Sequence, residues 1–73
     1  MKCPVCGAPA VDIGGKDFDG KVFRCSAKCK DYEIAGTHML KFLALTPVDR
    51  AGALARATTL AGGKRPSIDA RSL

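Results

Sequence analysis

Four cysteines are the residues of this chain best suited to do chemistry, and they come as two pairs: Cys3-Pro4-Val5-Cys6 and, after eighteen intervening residues, Cys25-Ser26-Ala27-Lys28-Cys29. Thiols at C-x-x-C and C-x-x-x-C spacing close together can serve as two disulfides or as one set of metal ligands. The spacing lies within the range of four-cysteine zinc sites. A tight turn between the members of each pair brings both sulfurs to the same side, where a zinc ion needs them at about 2.3 Å. Pro4 presets the first turn, and Gly7 follows the second ligand where a positive φ is useful. Cys25 and Cys29, at i and i+4, suit a single helical turn.

Compartment decides between disulfide and thiolate. After Met1-Lys2 the first cysteine arrives at once, with no apolar leader and no stretch approaching the roughly 20 apolar residues of a membrane span, so the expectation is a cytoplasmic, reduced chain. Zinc is the favoured ion, one per chain; a rubredoxin-like iron site and a disulfide or redox pair are the alternatives. The lone histidine, His38, is a possible substitute ligand for Cys29, although its spacing from Lys41 reads better as an exposed helical position. Four thiolates leave a zinc ion no open position, and no nucleophile–base pair, phosphate-cradling glycine loop or paired carboxylates appear. The chain is therefore expected not to be an enzyme and to have no small-molecule substrate. Lys2, Lys28 and Lys30 beside the cysteines are read as offsetting the formal −2 charge of a zinc tetrathiolate.

The elements that must position these ligands are short. Ala10–Ile13, Lys21–Arg24 and Asp31–Ile34 are short apolar runs that read as strands, Val11 and Ile13 alternating with Asp12 and Tyr32 and Ile34 with Glu33, and Asp19-Gly20 predicts a two-residue hairpin turn between the first two. Gly14 to Phe18 either extends the first strand or forms a loop. From Thr37, read as an N-cap, Met39, Leu40, Phe42, Leu43 and Leu45 predict a short helix whose wide apolar face packs on the sheet or the next helix. A second helix is predicted from Pro47 to Ala61, capped by Thr46, with Asp49 in its first turn and Gly62-Gly63 as its stop. Residues 64–73, with Pro66 and no apolar period, predict a mobile end.

CPVCG followed by a β-hairpin and a second cysteine pair resembles the zinc ribbon, a superfamily of small metal-bound domains found in transcription factors, polymerase subunits and ribosomal proteins. The resemblance covers residues 1–36. It implies a three-stranded antiparallel sheet with Cys3, Cys6, Cys25 and Cys29 as ligands. The usual second knuckle is C-x-x-C-G; here it has one more residue between the cysteines and Lys30 in place of the glycine. The fold class expected is thus a small α+β metal-bound domain: a zinc ribbon over 1–36, a two-helix extension packed on it over 37–62 and a flexible basic tail over 63–73.

Charge and size bound the function. A chain of 73 residues without Trp, whose aromatics are Phe18, Phe23, Tyr32 and Phe42, has a thin core and needs a staple. Net charge is +5; residues 1–36 hold six basic and five acidic side chains (+1), and residues 37–73 six and two (+4). The surplus points to nucleic acid, with Lys41, Arg50, Arg56, Lys64, Arg65 and Arg71 as candidate contacts and a transcription-associated role. The other reading is a protein-interaction module that offers Ala53, Leu54, Ala57 and Leu60 of the second helix to a partner or a second copy.

Overall fold

The two longest strands sit at the centre of the sheet. In a computed structural model, which describes residues 1–15 and 19–73, β2 (Gly20–Cys25) buries Val22, Phe23 and Cys25, and β3 (Asp31–Ala35) buries Tyr32 and Ile34 while Asp31 and Glu33 lie half-exposed. The two pair antiparallel with Phe23 opposite Tyr32, and their rings stack at a centroid distance of 5.4 Å. β1 (Ala10–Asp12) pairs antiparallel on the other side of β2, Ala10 opposite Cys25.

β1 stops before Ile13 because Asp12 ends it chemically. Its Oδ1 accepts from Gly14 N at 2.9 Å, an Asx turn, and from Val22 N at 3.3 Å. Val11 and Ile13 consequently face outward, at 56% and 38% exposure, and the strand's buried residue is Ala10. Gly14 and Gly15 lie in the loop, while residues 16–18 fall outside the described residues. Asp19-Gly20 does not make the expected two-residue turn. Gly20 instead opens β2 opposite Ala35 at φ +142°, where a Cβ would run into the Ile34 carbonyl oxygen and the backbone of Ala35.

The third strand runs straight into α1 (Gly36–Leu43). Its N-cap is Ala35, without a side-chain bond, and the Asp19 carbonyl takes the Gly36 N–H at 2.8 Å. Thr37, expected as the cap, lies inside the helix. A backbone carbonyl just before β2 thus does the work a capping side chain would do. Phe42 is fully buried and Met39 and Leu45 pack against the core, but Leu40 is 84% exposed, so the inward stripe is narrower than the sequence suggests.

α2 (Pro47–Ala61) obeys its local signals: Thr46 Oγ1 accepts from Asp49 N at 3.2 Å, Pro47 opens the helix and Gly62 closes it at φ +60°. Thr46→Ala is expected to lower stability by about 1 kcal/mol, read as a reduced denaturant midpoint. Ala53, Leu54 and Ala57 enter the chain's own core.

Residues 63–73, expected as a flexible basic tail, form part of the fold. β4 (Ser67–Ile68) pairs parallel with β3, Ile34 opposite Ile68, and completes a four-stranded mixed sheet of order β1-β2-β3-β4 in place of the expected three antiparallel strands. The crossover from β3 to β4 runs through both helices, as a parallel pairing requires. Ile68 and Ser72 are fully buried and Leu73 packs on the core. Ser72 Oγ accepts from Asp69 N and donates to Asp69 O, and Ser72 O accepts from Arg56 Nε at 2.8 Å. Among the described residues no helix is long and apolar enough to cross a membrane.

Candidate metal centre

Each cysteine pair is built into a closed backbone turn. In the first, Gly7 N donates to Cys3 O (2.8 Å) and Cys3 N to Ala8 O (2.7 Å), with Gly7 at φ +77°. In the second, Cys25 ends β2, Cys25 N donates to Lys30 O (3.1 Å), and Lys30 turns the chain at φ +59°. Lys30 thus takes the left-handed conformation that glycine would adopt most cheaply, and the extra residue between Cys25 and Cys29 is absorbed in this turn. The turns are tied together: Ser26 N and Ser26 Oγ both donate to Pro9 O, at 3.0 and 2.7 Å, and Lys2 bridges Pro9.

The result is a cluster of four free thiols, Cys3, Cys6, Cys25 and Cys29, whose sulfurs all lie within 4.8 Å of one another, Cys6 Sγ and Cys25 Sγ at 3.4 Å. Four sulfurs about 2.3 Å from a tetrahedral ion would be separated by about 3.8 Å, so the donor set fits one metal ion. Cys3 and Cys25 are buried and Cys6 faces solvent. His38, on α1, is not part of the cluster.

Electrostatics make the cluster ask for a cation. Burial pushes the Cys29 thiol up, and the hydrogen bonds that the protonated thiol donates to the neighbouring Cys6 and Cys3 push it further. Cys25 is likewise raised, chiefly by burial. At Cys3 burial also raises the pKa, but the Tyr32 hydroxyl and the backbone N–H groups of Cys6 and Val5 together override it and bring the thiol down to about 7. Four thiols in so small a volume cannot all ionise beside one another; a divalent ion displaces their protons and removes the conflict. Ala27 N donates to Cys25 Sγ at 3.4 Å, a bond that strengthens once the sulfur is a thiolate.

Tyr32 is the residue of this site that sequence reasoning missed. Its hydroxyl lies 3.0 Å from Cys3 Sγ, and the residue is fully buried. Burial, then the bond to Cys3, raises its pKa, so the phenol stays protonated and donates to the thiolate. Nothing in the cysteine spacing points to it; the strand alternation marked it only as core. Tyr32→Phe keeps the ring stacked on Phe23 and deletes that donor, and is expected to weaken metal affinity by 10- to 100-fold, measured by competition with a chromogenic chelator.

Of the six candidate nucleic-acid contacts, Lys64, Arg65 and Arg71 line one surface groove together, and four of the six are engaged within the chain. Arg50 donates to Pro4 O (3.1 Å) and Leu43 O (2.6 Å), bracing the first knuckle against α1. Arg56 holds Ser72 O, Arg65 pairs with Glu33 at 3.0 Å and Arg71 with Asp69 at 3.2 Å. Among the described residues, Lys41 on α1 and Lys64 after α2 have no ion-pair partner. Lys2, Lys28 and Lys30 are exposed beside the thiols, where they can offset a tetrathiolate's charge. No family model, curated protein or solved structure matches this chain.

Proposed function

We propose that this chain is a zinc-ribbon-like protein in which Cys3, Cys6, Cys25 and Cys29 hold one structural Zn²⁺, and that it works in the cytoplasm as a nucleic-acid-binding, transcription-associated module. The observation that carries the metal reading is the set of four sulfurs within 4.8 Å of one another. Zinc is favoured over iron because a closed four-thiolate site with no vacant ligand position suits a d¹⁰ ion whose task is to hold the fold. The same closure leaves no position for substrate or reactive water, which supports binding rather than catalysis. The net charge of +5 favours a polyanion as partner.

The rival reading, a protein-interaction module using the alanine-rich helix face, is weakened by packing. Ala53, Leu54 and Ala57 are 0%, 8% and 2% exposed within the chain's own core, which leaves Leu60 alone of that face at the surface. Elemental analysis of the purified chain is expected to find one zinc and no iron; iron in its place, or no metal, sinks the zinc reading. The zinc-loaded chain is expected to bind duplex DNA at 50 mM salt with log K falling linearly against log salt. Failure to bind duplex DNA, single-stranded DNA and RNA at that salt overturns the nucleic-acid reading.

A further inference from the structure

An open groove of about 690 Å³ runs between the second knuckle, α2 and the segment leading into β4, and it draws together four basic side chains. Lys28, Lys30, Lys64 and Arg65 line it, with Leu54 and Thr58 of α2 on its helical wall. One carboxylate, Asp31, also lines it, but Asp31 is held by Arg24 at 3.2 Å. Arg65 is engaged with Glu33 at 3.0 Å. That leaves three ammonium groups, Lys28, Lys30 and Lys64, with no ion-pair partner among the described residues.

The sequence-based footprint contained Lys64 and Arg65 but not Lys28 or Lys30, which lie 34 positions or more away along the chain. The pairing of β4 with β3 brings them together: it carries Pro66 against Glu33, whose N–H donates to Pro66 O at 2.9 Å, and so sets residues 63–66 beside the knuckle. Cys29 also lines the groove, so a tetrathiolate there neutralises part of the adjacent charge. Lys64, on the opposite wall, belongs to a different element from the cysteine turn.

The geometry points to this groove as a binding site for the phosphate groups of a nucleic-acid backbone, with Lys28, Lys30 and Lys64 as the contacting cations. This rests on the nucleic-acid reading proposed above and assigns it a place. No described aromatic lines the groove, and Phe23, Tyr32 and Phe42 are all buried. Such a surface contacts phosphates without stacking on bases, so it reads the charge of the backbone and not its sequence.

The test uses the full-length, zinc-loaded chain and a 20-base-pair duplex, with binding measured between 50 and 200 mM salt. The double variant Lys28→Gln/Lys64→Gln is expected to bind between ten- and a hundredfold more weakly near 0.1 M salt and to flatten the plot of log K against log salt by about two units. Lys21→Gln, which removes a charge on β2 outside the groove, serves as the control and is expected to bind like the unaltered chain. Zinc content is measured for every variant. Undiminished duplex binding by the double variant overturns the groove assignment while leaving the nucleic-acid reading intact; absence of binding by the unaltered chain overturns both. Loss of zinc from the double variant shows that these lysines serve the thiolates, and binding of adenosine triphosphate as tight as that of the duplex shows a mononucleotide site; either overturns the proposal.

Discussion

A strong chelator added to the purified protein is expected to unfold it, collapsing its dispersed amide spectrum, and zinc returned in slight excess is expected to restore it. The buried side chains that hold the sheet to the helices are few, chiefly Phe23, Tyr32, Ile34, Phe42, Leu54 and Ile68 with three alanines. A core of that size sits near the limit for an independently stable domain. A structural zinc ion supplies on the order of 10 kcal/mol of apparent binding free energy, comparable to the whole stability of an ordinary domain. Two of the four clustered cysteines, Cys3 and Cys25, are themselves core residues, so without an ion clustered thiols would remain inside the packing they help to form. Cys25→Ser and Cys29→Ser are both expected to lose the ion, whereas His38→Ala retains it, because His38 lies outside the cluster. A chelated chain with an unchanged amide spectrum sinks this account.

Ile68→Ala is expected to cost about 2 to 5 kcal/mol in the zinc-loaded protein, a drop in Tm of roughly 10 to 25 °C. Ile68 is fully buried, pairs with Ile34 and belongs to the central cluster, although its strand has two residues. Truncation after Gly62 goes further. It removes Ile68, the packing of Leu73 and the Ser72 carbonyl that receives Arg56, and exposes the face of α2 against which β4 lies. The truncated chain is expected to fail to give a cooperative melt even with zinc present. A melt superimposable on that of the full-length chain returns residues 63–73 to the status of a dispensable tail.

What was legible in the sequence is what local chemistry encodes. The cysteine pairs announced their cluster by spacing alone, and α2 was readable from Thr46 to Gly62 because cap, proline and terminal glycine each act within a turn of their own position. β3 followed from alternation, and β2 from its short apolar run between Lys21 and Arg24. The misreadings occur where a distant part of the chain supplies the deciding bond. Asp19-Gly20 carries a hairpin signal, yet Gly20 is needed for a close approach to Ile34 and Ala35, a demand visible only once β3 is in place. Thr37 is a competent cap displaced by the Asp19 carbonyl. β4 is too short to show a period, and its single buried isoleucine has meaning only beside Ile34. The Tyr32 hydroxyl reaches a cysteine 29 positions away, and no rule of spacing joins them.

The two margins of the sheet are its shortest strands, three residues at β1 and two at β4. A row of unpaired backbone groups is what invites a second chain to add itself as a strand, by fibril growth or by strand exchange, and short margins offer little such template. The longer strands, β2 and β3, are paired on both sides. Any partner therefore gains little from backbone ladders and must be held by side chains, which makes the identity of surface residues, and not the extended shape of the chain, what decides recognition.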